Sequence, residues 1–364
     1  MFKLTKLAAL MGLLTAAGVA AAADAPAAPA APKLSQVLDA SGITATGYVD
    51  AGYEYVSNTT PSYRVFDTEH SAFSLHQAAL NLAYQPKTGF GAFVNFTTGD
   101  DAQLIHSVGS GDTGSFDVTQ AYVQYATDTT TIIAGKFNTL AGAEVISPAL
   151  NTNISRSVLF GYAVPFTHTG VRATFAATDE VSLILGVNNG WDQVRDLNTQ
   201  KTAEFGVAYT TKPFVLAVSG YVGSEPTLPN INGSRQLIDV VATFNASDAL
   251  SFVLNYDWGK QEDYNAAMGT AKWTGLAGYV NYAIDDSWRV SGRLEYFNDK
   301  NGFRLGAAPQ KLKEATFTVA YMVEKSFEVR FEGRHDWSDK STFMDNGIAT
   351  DNQNSVAIGG IFKF

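Results

Sequence analysis

The chain has 364 residues, with 25 Lys and Arg against 35 Asp and Glu, for a formal charge of −10. That acidic balance excludes the basic field of a general nucleic-acid binder, so no nucleic-acid partner is expected. Cysteine is absent, which excludes a disulfide scaffold and any thiolate metal or redox site.

The first 23 residues carry Lys3 and Lys6, an apolar run from Leu7, and small residues up to Ala23 before Asp24. This is the make-up of a secretory signal peptide. A membrane anchor is the alternative, but the run is short and alanine-rich for one. Removal of residues 1–23 deletes two lysines and takes the formal charge to −12. Residues 24–43 follow as an Ala/Pro-rich periplasmic linker, opening on DAPAAPAAPK, which is extended rather than packed. No later apolar run reaches the ~18 residues that a membrane helix needs. A membrane-spanning reading must therefore rest on strands.

From residue 44 the sequence repeats one rhythm: strand, tight turn, strand, longer polar connection. Strands are predicted near 44–57, 71–85, 89–98, 115–127, 130–138, 167–177, 180–190, 201–210, 213–224, 236–246, 249–259, 271–283, 287–298, 311–323, 326–338 and 353–364. The tight turns, such as QPKTG (85–89), TTKP (210–213) and IDDS (284–287), have hairpin chemistry. The other connections are longer and rich in Asn, Asp, Gly and Thr. The count is sixteen; fourteen or eighteen lie within the boundary error. Short turns at one end and long loops at the other describe a transmembrane antiparallel up-and-down β-barrel over 44–364.

The faces agree with this. In FEVRFEGRHDW (327–337), Phe327, Val329, Phe331, His335 and Trp337 alternate with Glu328, Arg330, Glu332, Arg334 and Asp336. A period of two is the strand period. The 288–296 segment repeats it, with Trp288, Val290, Leu294 and Tyr296 opposite Arg289, Ser291, Arg293 and Glu295. A soluble sheet would bury the apolar face in a shared core. Here that face is aromatic and alanine-rich, and the opposite face is dense with charge. A charge facing lipid costs about 2–4 kcal/mol at the midplane. The charges must then face a water-filled interior. Inward wall candidates are Asp50, Glu54, His168, Arg172, Glu204, Arg289, Arg293, Glu295, Glu328, Arg330, Glu332 and Arg334. Mixed signs on neighbouring strands also allow these residues to brace the wall as ion pairs, and no selectivity sign follows.

The longest connection, 139–166, is the third long loop and is unusually apolar, with Leu140, Val145, Ile146, Leu150, Ile154, Val158, Leu159 and Phe160. Long loops without secondary structure are commonly functional. Such a loop is expected to fold into the barrel and narrow it, with Glu144, Asn151, Asn153 and Arg156 as polar contacts; lying over the mouth is the alternative. Enzymatic signals are weak. There is no GxSxG, HExxH or P-loop, and no cofactor is implied. The Asp- and Gly-rich segment 99–117 lacks the spacing of a calcium loop.

Several segments carry a resemblance. SVAIGGIFKF (355–364) stops on Phe364, with Val356, Ile358, Gly360 and Phe362 on its parity, and resembles the C-terminal signature of Gram-negative outer-membrane barrels. Ser155-Arg156-Ser157, Pro165 through Gly170 with Arg172, Asn188 through Asp192, and GKFNTLAGAEVI (135–146) resemble the β-barrel porin-2 family of Gram-negative outer membranes. The resemblance is sharpest over 115–192. It implies a porin-like barrel but no particular substrate. The expected function is a channel of the cell outer membrane that passes small hydrophilic solutes or ions passively. Its surroundings would be outer-membrane lipid and lipopolysaccharide. Assembly as a homotrimer stays open, because no strand patch stands out. The alternatives are a closed barrel acting as an adhesin or structural protein, and a barrel-embedded hydrolase.

Overall fold

Alternating side chains and tight turns close into one sheet in the computed structural model, which describes residues 34–364 apart from 111–113 and 230. The expected signal peptide and residues 24–33 of the expected linker lie outside the described residues. Within the rest of that linker, Leu34–Ser41 forms a helix, α1. Ala40 and its neighbours have no Pro or Gly to interrupt a helical turn before Gly42, whose φ of +70° ends it.

The barrel strands are β1 (Thr44–Val56), β2 (Ala72–Tyr84), β3 (Gly89–Thr98), β4 (Phe116–Ala126), β5 (Thr130–Asn138), β6 (Thr167–Ala176), β7 (Val181–Asn188) and β8 (Thr202–Thr210). They continue with β9 (Phe214–Leu228), β10 (Ile231–Asn245), β11 (Leu250–Gln261), β12 (Ala271–Ala283), β13 (Trp288–Asp299), β14 (Gln310–Glu324) and β15 (Phe327–Ser338). A small hairpin, β16 (Phe343–Asp345) and β17 (Ile348–Thr350), sits in the last long connection, and β18 (Asn352–Lys363) ends the sheet. Each barrel strand pairs antiparallel with its sequence neighbour, and β18 pairs with β15 and β1 to close sixteen strands. Reciprocal bonds between Gly47 and Phe364, at 2.9 and 3.0 Å, extend that seam. Closure leaves no free sheet edge, which is what a bilayer demands of a strand-built span.

The short turns are self-capped. Asp285 Oδ1 accepts the N–H groups of Ser287 and Trp288, both at 2.8 Å, and Ser247 Oγ accepts those of Ala249 and Leu250. One expectation fails at the opposite end. Residues 224–235 were expected as a long loop, but β9 and β10 run on to Leu228 and from Ile231. Cross-strand pairing continues past the predicted strand ends because Ser224, Glu225 and Ser234 still find ladder partners. Polar composition alone had suggested a loop there.

The outer face exposes Leu185, Leu254, Leu276, Leu294, Phe317 and Phe331. The main buried apolar cluster lies on the other side of the sheet. It joins loop residues Phe66, Ile105, Ile146, Val158, Leu159, Phe160 and Phe166 to the inward-facing Tyr221, Leu237, Trp273, Phe297 and Leu312. The barrel is thus lipid-facing outside and packed by its own loops within.

Candidate functional site: the loop-filled lumen

Connection 139–166 begins at the end of β5 and bonds to strands most of the way around the interior. Its entry is fixed by the Tyr221 hydroxyl on β9, which accepts the Leu140 N–H at 2.9 Å. Asn255 Oδ1 on β11 accepts the Ala143 N–H at 3.0 Å. Glu295 on β13 accepts the N–H groups of Val158 and Leu159 at 2.8 and 2.5 Å. Glu332 on β15 accepts those of Ile154 and Ser155 at 2.6 and 2.9 Å. Irregular backbone cannot satisfy its own donors as a helix or sheet does, so buried loop needs such partners. A carboxylate accepting two N–H groups supplies them in a charge-assisted form.

The arginines complete the attachment through carbonyls. Arg293 NH1 donates to Glu144 Oε1 at 2.6 Å and to the Ser155 carbonyl at 2.9 Å. Arg330 NH1 reaches the carbonyls of Pro148 and Asn153, and Arg334 NH1 that of Arg156. Asn153 Nδ2 donates to Thr318 Oγ1 at 2.7 Å. The charged face of β15 is therefore a docking strip: Glu332 takes loop N–H groups, while Arg330 and Arg334 give to loop carbonyls. Two of the loop residues singled out from sequence turn inward on the loop itself. Asn151 bonds Val145 through both backbone groups, and Arg156 donates to the carbonyls of Val145, Ile146 and Ile154.

The remaining wall residues are committed to partners. Arg172 holds Glu204 through NH2 at 2.8 Å and lies 4.3 Å above the Phe137 ring. Arg289 reaches Glu328 at 2.9 Å, and Arg330 also bonds Glu328. Arg293 also pairs with Glu314 on β14. Asp50 faces His76 at 3.5 Å. Glu54 sits 3.5 Å from Arg64, a loop arginine that also holds Asp67 and Asp336. His168 is buried, stacked on Tyr221 at 4.8 Å, with Nδ1 3.2 Å from the Gly190 carbonyl. These charges were expected to meet lumen water; most lie buried beneath the loops because each has a bonded partner there.

Sequence reasoning missed several anchors. Gln77 bridges Asp101 of a short loop helix, α2 (Asp100–Leu104), at 2.7 Å and the Ile146 carbonyl at 3.1 Å. Asp192 Oδ1 accepts the N–H groups of Phe166 and Thr167, and Asp299 those of Phe303, Arg304 and Leu305. Inward parity could have flagged Gln77 and Tyr221, but their partners come from loops with no periodicity. Asp239 and Asp257 were also missed. They are register neighbours on β10 and β11, fully buried, and neither has a salt-bridge partner among the described residues. Asp239 accepts from Asn255 at 2.6 Å, and its carboxyl is hydrogen-bonded to that of Asp257.

The loop does not fill the whole section. A cavity of about 190 Å³ lies between loop residues Val145, Ile146, Ser147 and Leu150 and the inner wall of β1–β5. A second, of about 80 Å³, shares Asn138, Val145 and Ile146 with it. Among the described residues, no group of three or more His, Asp or Glu is placed to hold a metal ion.

Solved structures share this architecture. An anion-selective porin from Comamonas acidovorans superposes with a TM-score of 0.64 at 12% identity, covering 88% of this chain and 99% of that one. The trimer form of OmpT, an outer-membrane protein of Vibrio cholerae, gives 0.62 at 11% identity, with 88% and 99% covered. The outer-membrane channel DcaP of Acinetobacter baumannii gives 0.61 at 13% identity, with 88% and 97% covered. At such identities the likeness is one of fold. Comparison with curated proteins returns no match. Residues 42–364 match the family described as "Putative beta-barrel porin-2, OmpL-like". That span takes in every barrel strand, so the chain belongs to this family and is a porin-like channel protein of the Gram-negative outer membrane.

Proposed function

We propose that solutes cross this barrel by passive diffusion along one side of the lumen, between loop 139–166 and the wall of β1–β5. The observation that carries this reading is the asymmetry of the loop's attachment. Most of its direct bonds run through β9 and β11–β15, with Gln77 of β2 bonding the Ile146 carbonyl on the other side, while the 190 Å³ cavity opens against β1–β5. A wall that binds the loop this densely leaves the sparsely bonded side for passage.

In this reading Glu144 and Asn153, with Arg293, Glu295, Arg330, Glu332 and Arg334, set the constriction by fixing where the loop lies. Asn151 and Arg156 fix the loop's own shape. Arg172, Glu204 and His168 brace the wall beside the loop's entry, and Asp50, Glu54, Arg289 and Glu328 brace the wall near the seam. The work is geometric, with no covalent step, so the reading is a channel rather than an enzyme. Export by the segment 1–23 and a periplasmic position for 24–43 belong to the same proposal, as does trimeric assembly like that described for OmpT. Cross-linking of the protein in native outer membranes tests the trimer.

The experiment is single-channel recording of the refolded full chain in a planar bilayer under a salt gradient. Discrete steps of small conductance are expected, with weak ion selectivity, because the wall charges are paired. Silence from protein shown to be inserted and folded overturns the passage and favours a barrel closed by its loop.

A further inference from the structure

We propose that the cavity against β1–β5 is a binding site for a neutral polyhydroxylated solute of monosaccharide size, which this channel takes in preference to ions. The inference rests on the passage proposed above and names the class of solute that passage accepts.

The lining is unlike the rest of the lumen. Four consecutive strands each contribute one carboxamide: Asn81 on β2, Asn95 on β3, Gln120 on β4 and Asn138 on β5. No Asp, Glu, Lys or Arg lines the cavity. The nearest charges on the lining strands already have partners, Lys136 on Asp117 and Asp50 on His76. An ion entering here would lose hydration and find no free counter-charge, which disfavours a desolvated charge. A neutral solute escapes that penalty.

Carboxamides suit hydroxyl groups. Each offers a donor and an acceptor side by side, and each sugar hydroxyl is both as well. Two of the four have capacity to spare. Gln120 uses its oxygen on the Asn138 N–H at 3.1 Å, and its amide nitrogen donates to no described residue. Asn138 carries a buried Oδ1 with no hydrogen-bond partner among the described residues. A rotation of the Asn138 amide toward the cavity would give this unpaired acceptor a ligand hydroxyl. Asn138 also lines the smaller adjoining cavity, so its side chain borders both spaces.

The cavity also has an apolar plane. Phe93 lines it and stacks on Tyr122 at 5.4 Å, which holds the ring in place. The C–H face of a pyranose ring packs against such a ring while its hydroxyls turn to the amides. Size agrees as well. At about 30 Å³ per water, 190 Å³ holds roughly six waters, the scale of a single sugar ring rather than a long chain.

The test compares glucose with glucuronate and glucosamine, which keep the pyranose ring and carry a negative or a positive charge on one substituent. The full chain is reconstituted in planar bilayers for current block and in liposomes for swelling. Glucose is expected to block the ionic current saturably and to swell liposomes at least threefold faster than either charged analogue. Gln120→Leu and Asn138→Leu are each expected to raise the half-blocking glucose concentration about fivefold, the effect of one lost hydrogen bond. Lys340→Ala, in the connection ahead of the small hairpin, serves as the control and leaves block unchanged. Current steps with no glucose block, or faster swelling with a charged analogue, overturn this inference and leave the channel standing. Absence of steps from inserted wild-type protein overturns the passage itself. The wild-type comparison of the three solutes decides the question even where a variant does not fold.

Discussion

Arg293 of β13 and Glu144 of loop 139–166 meet at 2.6 Å, both buried, and join the loop to the wall through a single ion pair. Arg293 also holds Glu314, so one guanidinium serves two carboxylates. Buried pairs of this kind add little net stability over apolar replacements, yet removing one partner strands the others. Arg293→Ala should destabilise the barrel by about 3–5 kcal/mol. Glu144→Gln keeps a hydrogen-bond acceptor and should cost less. Urea unfolding of the two variants in lipid vesicles checks the order.

Glu295 and Glu332 together hold four loop N–H groups. A neutral amide at either position keeps one acceptor and brings a donor against loop donors. The double variant Glu295→Gln, Glu332→Gln should loosen the loop without opening the sheet. Single-channel recordings should show a severalfold rise in conductance and frequent substates, while the heat-modifiable gel shift of the folded barrel is retained. Conductance equal to wild type would mean the loop does not limit the passage.

Leu159 packs where a wall side chain would otherwise stand. A Cβ at Gly275 would come 2.4 Å from Leu159 Cδ1. Gly275→Val should expel Leu159, which is fully buried, and forfeit about 1.5–3 kcal/mol of apolar burial. Protease digestion of the folded protein should then cut within 139–166, while the same segment of the wild type is expected to resist.

Asp101 links α2 to the loop through Gln77. Burial pushes its carboxyl up to about 6, against the opposing pull of Arg156 and the Gln77 amide. A folded-state value above the unfolded one means that folding favours the protonated form. This contribution is full below pH ~4 and is lost as pH rises through ~6, amounting to about 2–3 kcal/mol. Asp101→Asn, which keeps an oxygen for Gln77, should flatten the stability profile across that window and raise stability at pH 7. Unfolding midpoints measured from pH 4 to 8 decide it.

Asp239 and Asp257 stand opposite one another on β10 and β11 with no cation in reach. The facing carboxyls share a proton, and Asp257→Asn puts a permanent amide donor in its place beside Asp239. It should stabilise the barrel by about 1–3 kcal/mol. A lower unfolding midpoint would show that the second carboxylate is needed where it stands.

The sequence by itself determined the barrel. Side-chain alternation at 327–337 and 288–296, the tight turns and the lack of an apolar helix point to strand number and facing, and to most bounds apart from the β9–β10 connection, because those depend on local periodicity and on the cost of a charge in lipid. It also marked 139–166 as out of place in water. Tertiary structure decided what the inward residues do. Glu332 became an acceptor for Ile154 and Ser155, and Arg156 a staple within its own loop, through contacts between segments up to 178 residues apart. A loop without period carries no signal for such pairings; they are set by which buried N–H and carbonyl groups lack partners once the chain has closed. The amide-lined gap at β2–β5 had the same origin. Each carboxamide is ordinary in its own strand, and only the pairing of β2–β5, with the loop laid across them, brings four of them to face one cavity.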